Sequence, residues 1–193
     1  LEALEDVASW PNINLIREPF KPIPPDDPRK LILQDSGSEE GQLRTTEAVE
    51  VVSQGVSLIG AGTWHSSGYN GSGVKVAVID LGGGDGGFKG YTSLLGTELP
   101  SSGLVKTKAY GDFYTGPHGT ACAEIIHDVA PGASLYLTQP RNNTELGDAI
   151  DWCKAQGVKI ISYSVGWFYQ AGQLDGKGIT NDIVDDANSH GII

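Results

Sequence analysis

The stretch Val74-Lys75-Val76-Ala77-Val78-Ile79 constrains the fold more than any other part of the chain. It is β-branched and apolar at almost every position, and Gly71 and Gly73 lead into it. A strand with one wet face alternates apolar and polar residues. This one is apolar on both faces, which predicts a strand buried inside a parallel sheet. Parallel neighbours cannot be joined by a tight turn. They need crossovers of a dozen or more residues, usually helical.

The rest of the chain supplies those parts. Leu104 to Tyr110, Ser134 to Thr138 and Val158 to Val165 read as further strands. His118 to Val129 has helical spacing and stops before Pro131-Gly132. Thr144 to Gln156 reads as a helix, with Thr144 as its cap and Gly157 as its stop. Ile179 to Ser189 is another, closed by His190-Gly191. Ile192-Ile193 looks like the first step of a fifth strand. Strands alternating with helices predict an α/β domain: a parallel sheet flanked by helices in three layers, joined by right-handed crossovers. A domain rarely stops two residues into a central strand. The final strands and helices are therefore expected on a further piece of polypeptide.

The first fifty residues have a different texture, so the expected division is 1–50 and 51–193. Leu1 to Ser9 reads as a short helix. The arm Glu18-Pro19-Phe20-Lys21-Pro22-Ile23-Pro24-Pro25 cannot be helical, because its prolines lack the donor and push their predecessors toward extended geometry. Residues 35–47 are polar and charged and read as an exposed linker.

Composition narrows the partners. A formal net charge of −11 argues against nucleic acid, since nothing here would neutralise phosphates. No apolar run is long enough to span a membrane. Cys122 and Cys153 are too few for a disulfide scaffold and wrongly spaced for zinc, and two free thiols are expected.

Three stretches have the makings of a chemical site. Asp80 follows the buried strand directly, at the carboxyl edge where parallel sheets place catalytic groups. An Asp there also serves as a simple cap for the next loop, and both readings stay open from the local sequence. His118 opens a helix and is followed by the small Gly119 and, two further on, Ala121. A histidine held by a helix, with room around its ring, suits a general base, although a lone His is more often a surface or capping residue. His65, His127 and His190 have no such setting. Ser162-Tyr163-Ser164-Val165-Gly166 ends a strand in small residues, leaving backbone open for an extended peptide to pair with. Gly82-Gly83-Gly84-Asp85-Gly86-Gly87 satisfies a G-x-G-x-x-G spacing, but Phe88-Lys89-Gly90-Tyr91 opens a helix poorly, and Asp80 and Asp85 would face a diphosphate with negative charge.

Taken in order, these stretches resemble the subtilisin-like serine proteases. Gly55-Val56-Ser57, His65-Ser66-Ser67-Gly68-Tyr69-Asn70-Gly71 and Val74 to Asp80 are similar to the start of the mature domain of that family. His118-Gly119-Thr120 matches its histidine motif, Val129-Ala130-Pro131-Gly132-Ala133 and Leu135-Tyr136 the segment after it, and Ser164-Val165-Gly166 its Ser-Leu-Gly strand end. The resemblance covers roughly residues 51–193. It implies a serine endopeptidase acting on peptide or protein substrates. Asp80 would orient His118, His118 would act as the base, and Ser164, Val165 and Gly166 would line the substrate cleft. The family's Gly-Thr-Ser nucleophile and its oxyanion Asn match no position here, so the chain alone is expected to be inactive. It also implies a secreted or cell-envelope protein. Residues 1–34 would be the tail of a propeptide or an arm packed on the domain, and the propeptide cut would fall roughly between Arg44 and Ser53. No cofactor is expected. Family members often bind calcium, but no carboxylate cluster here is assignable to it. Leu81, the glycine-rich loop and Ala121-Cys122-Ala123-Glu124 depart from the family pattern. They motivate a second reading: a subtilase-like domain kept for binding, structure or self-assembly.

Overall fold

The computed structural model describes residues 52–80, 86–111, 116–166 and 176–193. The Leu1 to Ser9 helix, the proline arm, the polar linker, the proposed cleavage region up to residue 51, Leu81 and most of the glycine-rich loop lie outside these residues. Two short helices, α1 (Gln54–Leu58) and α2 (Ala61–Ser66), precede strand β1 (Lys75–Ile79). Then come β2 (Val105–Ala109), α3 (His118–Val129), β3 (Ser134–Gln139), α4 (Asn143–Gln156), β4 (Ile160–Tyr163) and α5 (Ile179–Ser189). The four strands form one parallel sheet in the order β2-β3-β1-β4.

Strand β1 lies between two neighbours, which is why its sequence is apolar throughout. Its residues alternate between two cores. Val76 and Val78 face a cluster with Phe88, Leu99, Ala123, Leu135 and Leu137, against which Cys122 and Ile126 of α3 pack. Ala77 and Ile79 face Tyr136, Leu146, Ile150, Cys153 and Ala187, from β3, α4 and α5. One helix on one face and two on the other give the expected three layers.

Most element boundaries match the sequence pattern, and two differ for physical reasons. The cap of α4 is Asn142 rather than Thr144: its side chain accepts from the Glu145 amide at 3.0 Å. Asn142 sits in extended geometry just outside the helix, where a capping oxygen reaches inward. Strand β4 begins later than Val158. Gly157, at φ 72°, donates to the Lys154 carbonyl while Val158 donates to that of Cys153, a Schellman pair that spends the Val158 amide on ending α4. Beyond α5, Ile193 accepts from the Ile161 amide and donates to the Lys159 carbonyl, so the last residues do begin to pair along β4. Both cysteines are free.

Two substitutions test this packing. Leu137→Ala, at a fully buried position in the sheet, should cost about 2–5 kcal/mol in urea unfolding. Asn142→Ala should cost about 1 kcal/mol, whereas Thr144→Ala should cost clearly less if Asn142 is the cap.

Candidate active site

The carboxyl edge of the sheet gathers the candidate residues. The Asp80 amide donates to the Thr138 carbonyl at 3.1 Å, extending the β1–β3 ladder by one rung and fixing where the side chain leaves the strand. That side chain is only 2% exposed. A buried carboxylate needs partners for both oxygens. Oδ2 accepts the Gly87 amide at 2.9 Å, and Oδ1 lies 3.1 Å from Nδ1 of His118. Asp80 thus caps the loop that follows β1 and also binds the histidine.

His118 is the first residue of α3. The residue before the helix is Pro117, whose side chain makes no capping bond, so the first turn is anchored by other means. The Gly119 amide donates to the Gly87 carbonyl at 2.8 Å, and the Thr120 hydroxyl donates to the Lys89 carbonyl at 3.0 Å. The Lys89 amide donates in turn to the Gly116 carbonyl at 2.8 Å. Segment 86–89 is therefore a splint between Asp80 and the start of α3. The ring of His118 keeps 35% exposure at the surface end of this splint. A carboxylate can only accept, so Nδ1 carries the hydrogen and the neutral ring presents its lone pair on Nε2.

Gly119 is required for this geometry. A Cβ there would lie 2.6 Å from Asp80 Oδ2, 2.8 Å from the Gly87 carbonyl and 2.8 Å from the Phe88 ring. The smallness of this residue was legible in the sequence; the reason for it was not. The burial of Phe88 and the Gly87 contact are not visible in the sequence, where the run reads as a loop or a phosphate-binding spacing.

Ser164, Val165 and Gly166 run past the last β1–β4 rung, Ile79 with Tyr163, at the same edge as Asp80. Cys122 lies one turn beyond His118 on α3. Burial, with the Asp80 charge second, pushes the Cys122 thiol up, and burial takes Cys153 up to about 12. Glu124 does not join the site. It lies beside Glu98 and Asp128, and burial followed by those two charges raises its carboxyl above the ordinary range. His65 is bound to the Val129 carbonyl at 2.9 Å and is structural. Among the described residues the dinucleotide alternative finds no helix to receive a diphosphate: between Phe88 and β2 lie only the three-residue turns Tyr91–Ser93 and Ser102–Leu104. Among the described residues no group of three or more His, Cys, Asp or Glu forms a metal cluster, and no helix is long and apolar enough to cross a membrane.

The site is thus a buried Asp bound to a helix-borne His at the carboxyl edge of a parallel, three-layer α/β domain. Comparison with known proteins agrees in sequence. Subtilisin E of Bacillus subtilis (strain 168) is 32% identical over 76% of this chain and 39% of its own length. Subtilisin J of Geobacillus stearothermophilus is 31% identical with the same coverage. Subtilisin of Bacillus pumilus is 31% identical over 74% of this chain and 53% of its own length. No family model matches. The chain belongs to the subtilisin-like family, and it spans about 39–53% of the length of these curated relatives.

Two measurements check the site. Gly119→Ala should destabilise the domain by about 1–3 kcal/mol, because Asp80, Gly87 and Phe88 must all shift. Glu124→Gln should raise the melting temperature at neutral pH. The parent's Glu124 ionises less readily folded than unfolded, so its ionisation opposes folding; the gain should vanish as pH falls below the ordinary glutamate range.

Proposed function

We propose that this chain is the Asp–His portion of a subtilisin-like serine endopeptidase, secreted or at the cell envelope, that hydrolyses peptide bonds. The observation that carries the reading is the buried Asp80 carboxylate bound to Nδ1 of His118 at 3.1 Å. Held this way, His118 accepts the proton of a serine nucleophile at Nε2 and returns it to the leaving amine, while Asp80 stabilises the imidazolium formed between the two steps. Ser164, Val165 and Gly166 offer backbone to an extended peptide substrate at the same edge. No Gly-Thr-Ser stretch occurs in the 193 residues, so the nucleophile comes from polypeptide outside this sequence. The oxyanion donor comes from there as well.

The departures at Ala121-Cys122-Ala123-Glu124 favour one competing reading, a subtilase-like domain without catalysis. A single series separates the two. The 193-residue chain alone should not cleave a peptide substrate. The natural polypeptide that contains it should cleave one, and Asp80→Asn within it should lower kcat by about 10⁴-fold. Cleavage by the 193-residue chain that a serine-directed reagent blocks, or full activity in Asp80→Asn, would contradict the proposal. Ala or Gly at the position of the missing serine would support the non-catalytic reading.

A further inference from the structure

The helices before β1 carry a surface that the proposed chemistry does not use. Val52, Leu58, Ile59, Trp64 and Tyr69 are all exposed, Leu58 at 84%, Tyr69 at 68% and Trp64 at 61%. The two aromatic rings meet edge to face, 5.8 Å apart at 74°. Their geometry is fixed locally, since the Tyr69 amide donates to the Trp64 carbonyl at 2.9 Å. The surroundings are unusual for so acidic a chain: from Val51 to Val74 the sequence holds no Asp, Glu, Lys or Arg. A solvent-exposed aromatic pair in direct contact, in a stretch of sequence without charge, is the kind of surface on which an apolar partner docks.

The chain itself contains a segment suited to it. Pro19-Phe20-Lys21-Pro22-Ile23-Pro24-Pro25 has four prolines in seven positions. Such a run favours an extended polyproline conformation, so it loses little conformational freedom on binding. Polyproline segments dock on exposed aromatic rings. Phe20 and Ile23 add apolar surface, and Lys21 can lie over an aromatic face. Reach is not limiting. Twenty-six residues separate Pro25 from Val52, a polypeptide of that length can reach across roughly 30 Å, and α1 starts just after Val52. A tether of that length keeps the segment at an effective concentration on the order of millimolar, which a second copy of the protein does not match in dilute solution.

We infer that residues 19–25 dock on the Trp64–Tyr69 platform, making it the seat of the chain's own N-terminal arm. The arm is thereby held on the α1–α2 side of the domain. The inference concerns the uncut chain, in which residues 26–51 still join the arm to the domain, and it does not require that the domain be proteolytic.

The test places a photo-crosslinking benzophenone side chain at position 20 of the full chain, followed by peptide mapping. The expected product is a link within one molecule to residues 58–69, with a yield that does not change on dilution. It should be lost in the Trp64→Ser, Tyr69→Ser double variant, whose substituted positions are exposed enough to leave the core intact. Links between molecules that grow with concentration would show that a second copy covers the platform and would overturn the inference. Links to other surfaces, or none, would overturn it equally.

Discussion

The site depends on how one buried carboxylate divides its two oxygens. Asp80 has almost no contact with water, so each oxygen must find a donor inside the protein. One takes the Gly87 amide and the other the His118 ring. The first bond pins the loop that leaves β1, and the second pins the residue that opens α3. Segment 86–89 then ties the loop to the helix through Gly119 and Thr120. Strand, loop and helix are thus registered by a single side chain, and Gly119 is the residue whose missing Cβ lets them close on it.

The same arrangement links fold to chemistry. The strand that carries Asp80 is central because it is apolar on both faces, and its central place puts Asp80 between β3 and β4. On the β4 side, Tyr163 pairs with Ile79, so the strand end expected to receive substrate leaves the sheet beside Asp80. In the proposed reading His118 is the base; a base must be fixed in position and tautomer to move protons efficiently, and the bond to the buried Asp80 would set both. The acidic trio of Glu98, Glu124 and Asp128 stays apart from this centre.

Much of this was legible in the sequence because periodicity and punctuation report backbone demands. The Val74 to Ile79 run, the helix from His118 to Val129 and the stop at Gly157 each state a local requirement that the fold then meets. Asp80 and His118 are legible as separate candidates in the local sequence and as a pair only through the family resemblance, because their contact joins residues thirty-eight positions apart. The Asn142 cap was missed since Asn142, Asn143 and Thr144 are all plausible caps, and only the extended backbone at Asn142 decides between them. The start of β4 was set too early because a Schellman closure is a matter of backbone geometry that residue type signals only at Gly157. Phe88 and Gly87 stand at the end of a glycine run that reads as a loop or a phosphate-binding spacing, so their place under α3 is not visible in residue type. The Trp64–Tyr69 platform was legible only as family-like sequence; that its rings stand in solvent is a tertiary fact.

The central claim is that Asp80 holds His118 in one tautomer. Nitrogen-15 spectroscopy of ring-labelled histidine, at a pH where the imidazole is neutral, reads this directly. The account predicts that His118 carries its proton on Nδ1 with Nε2 unprotonated, and that Asp80→Asn abolishes this preference. A ring protonated at Nε2, or one averaging between tautomers with Asp80 intact, would contradict it.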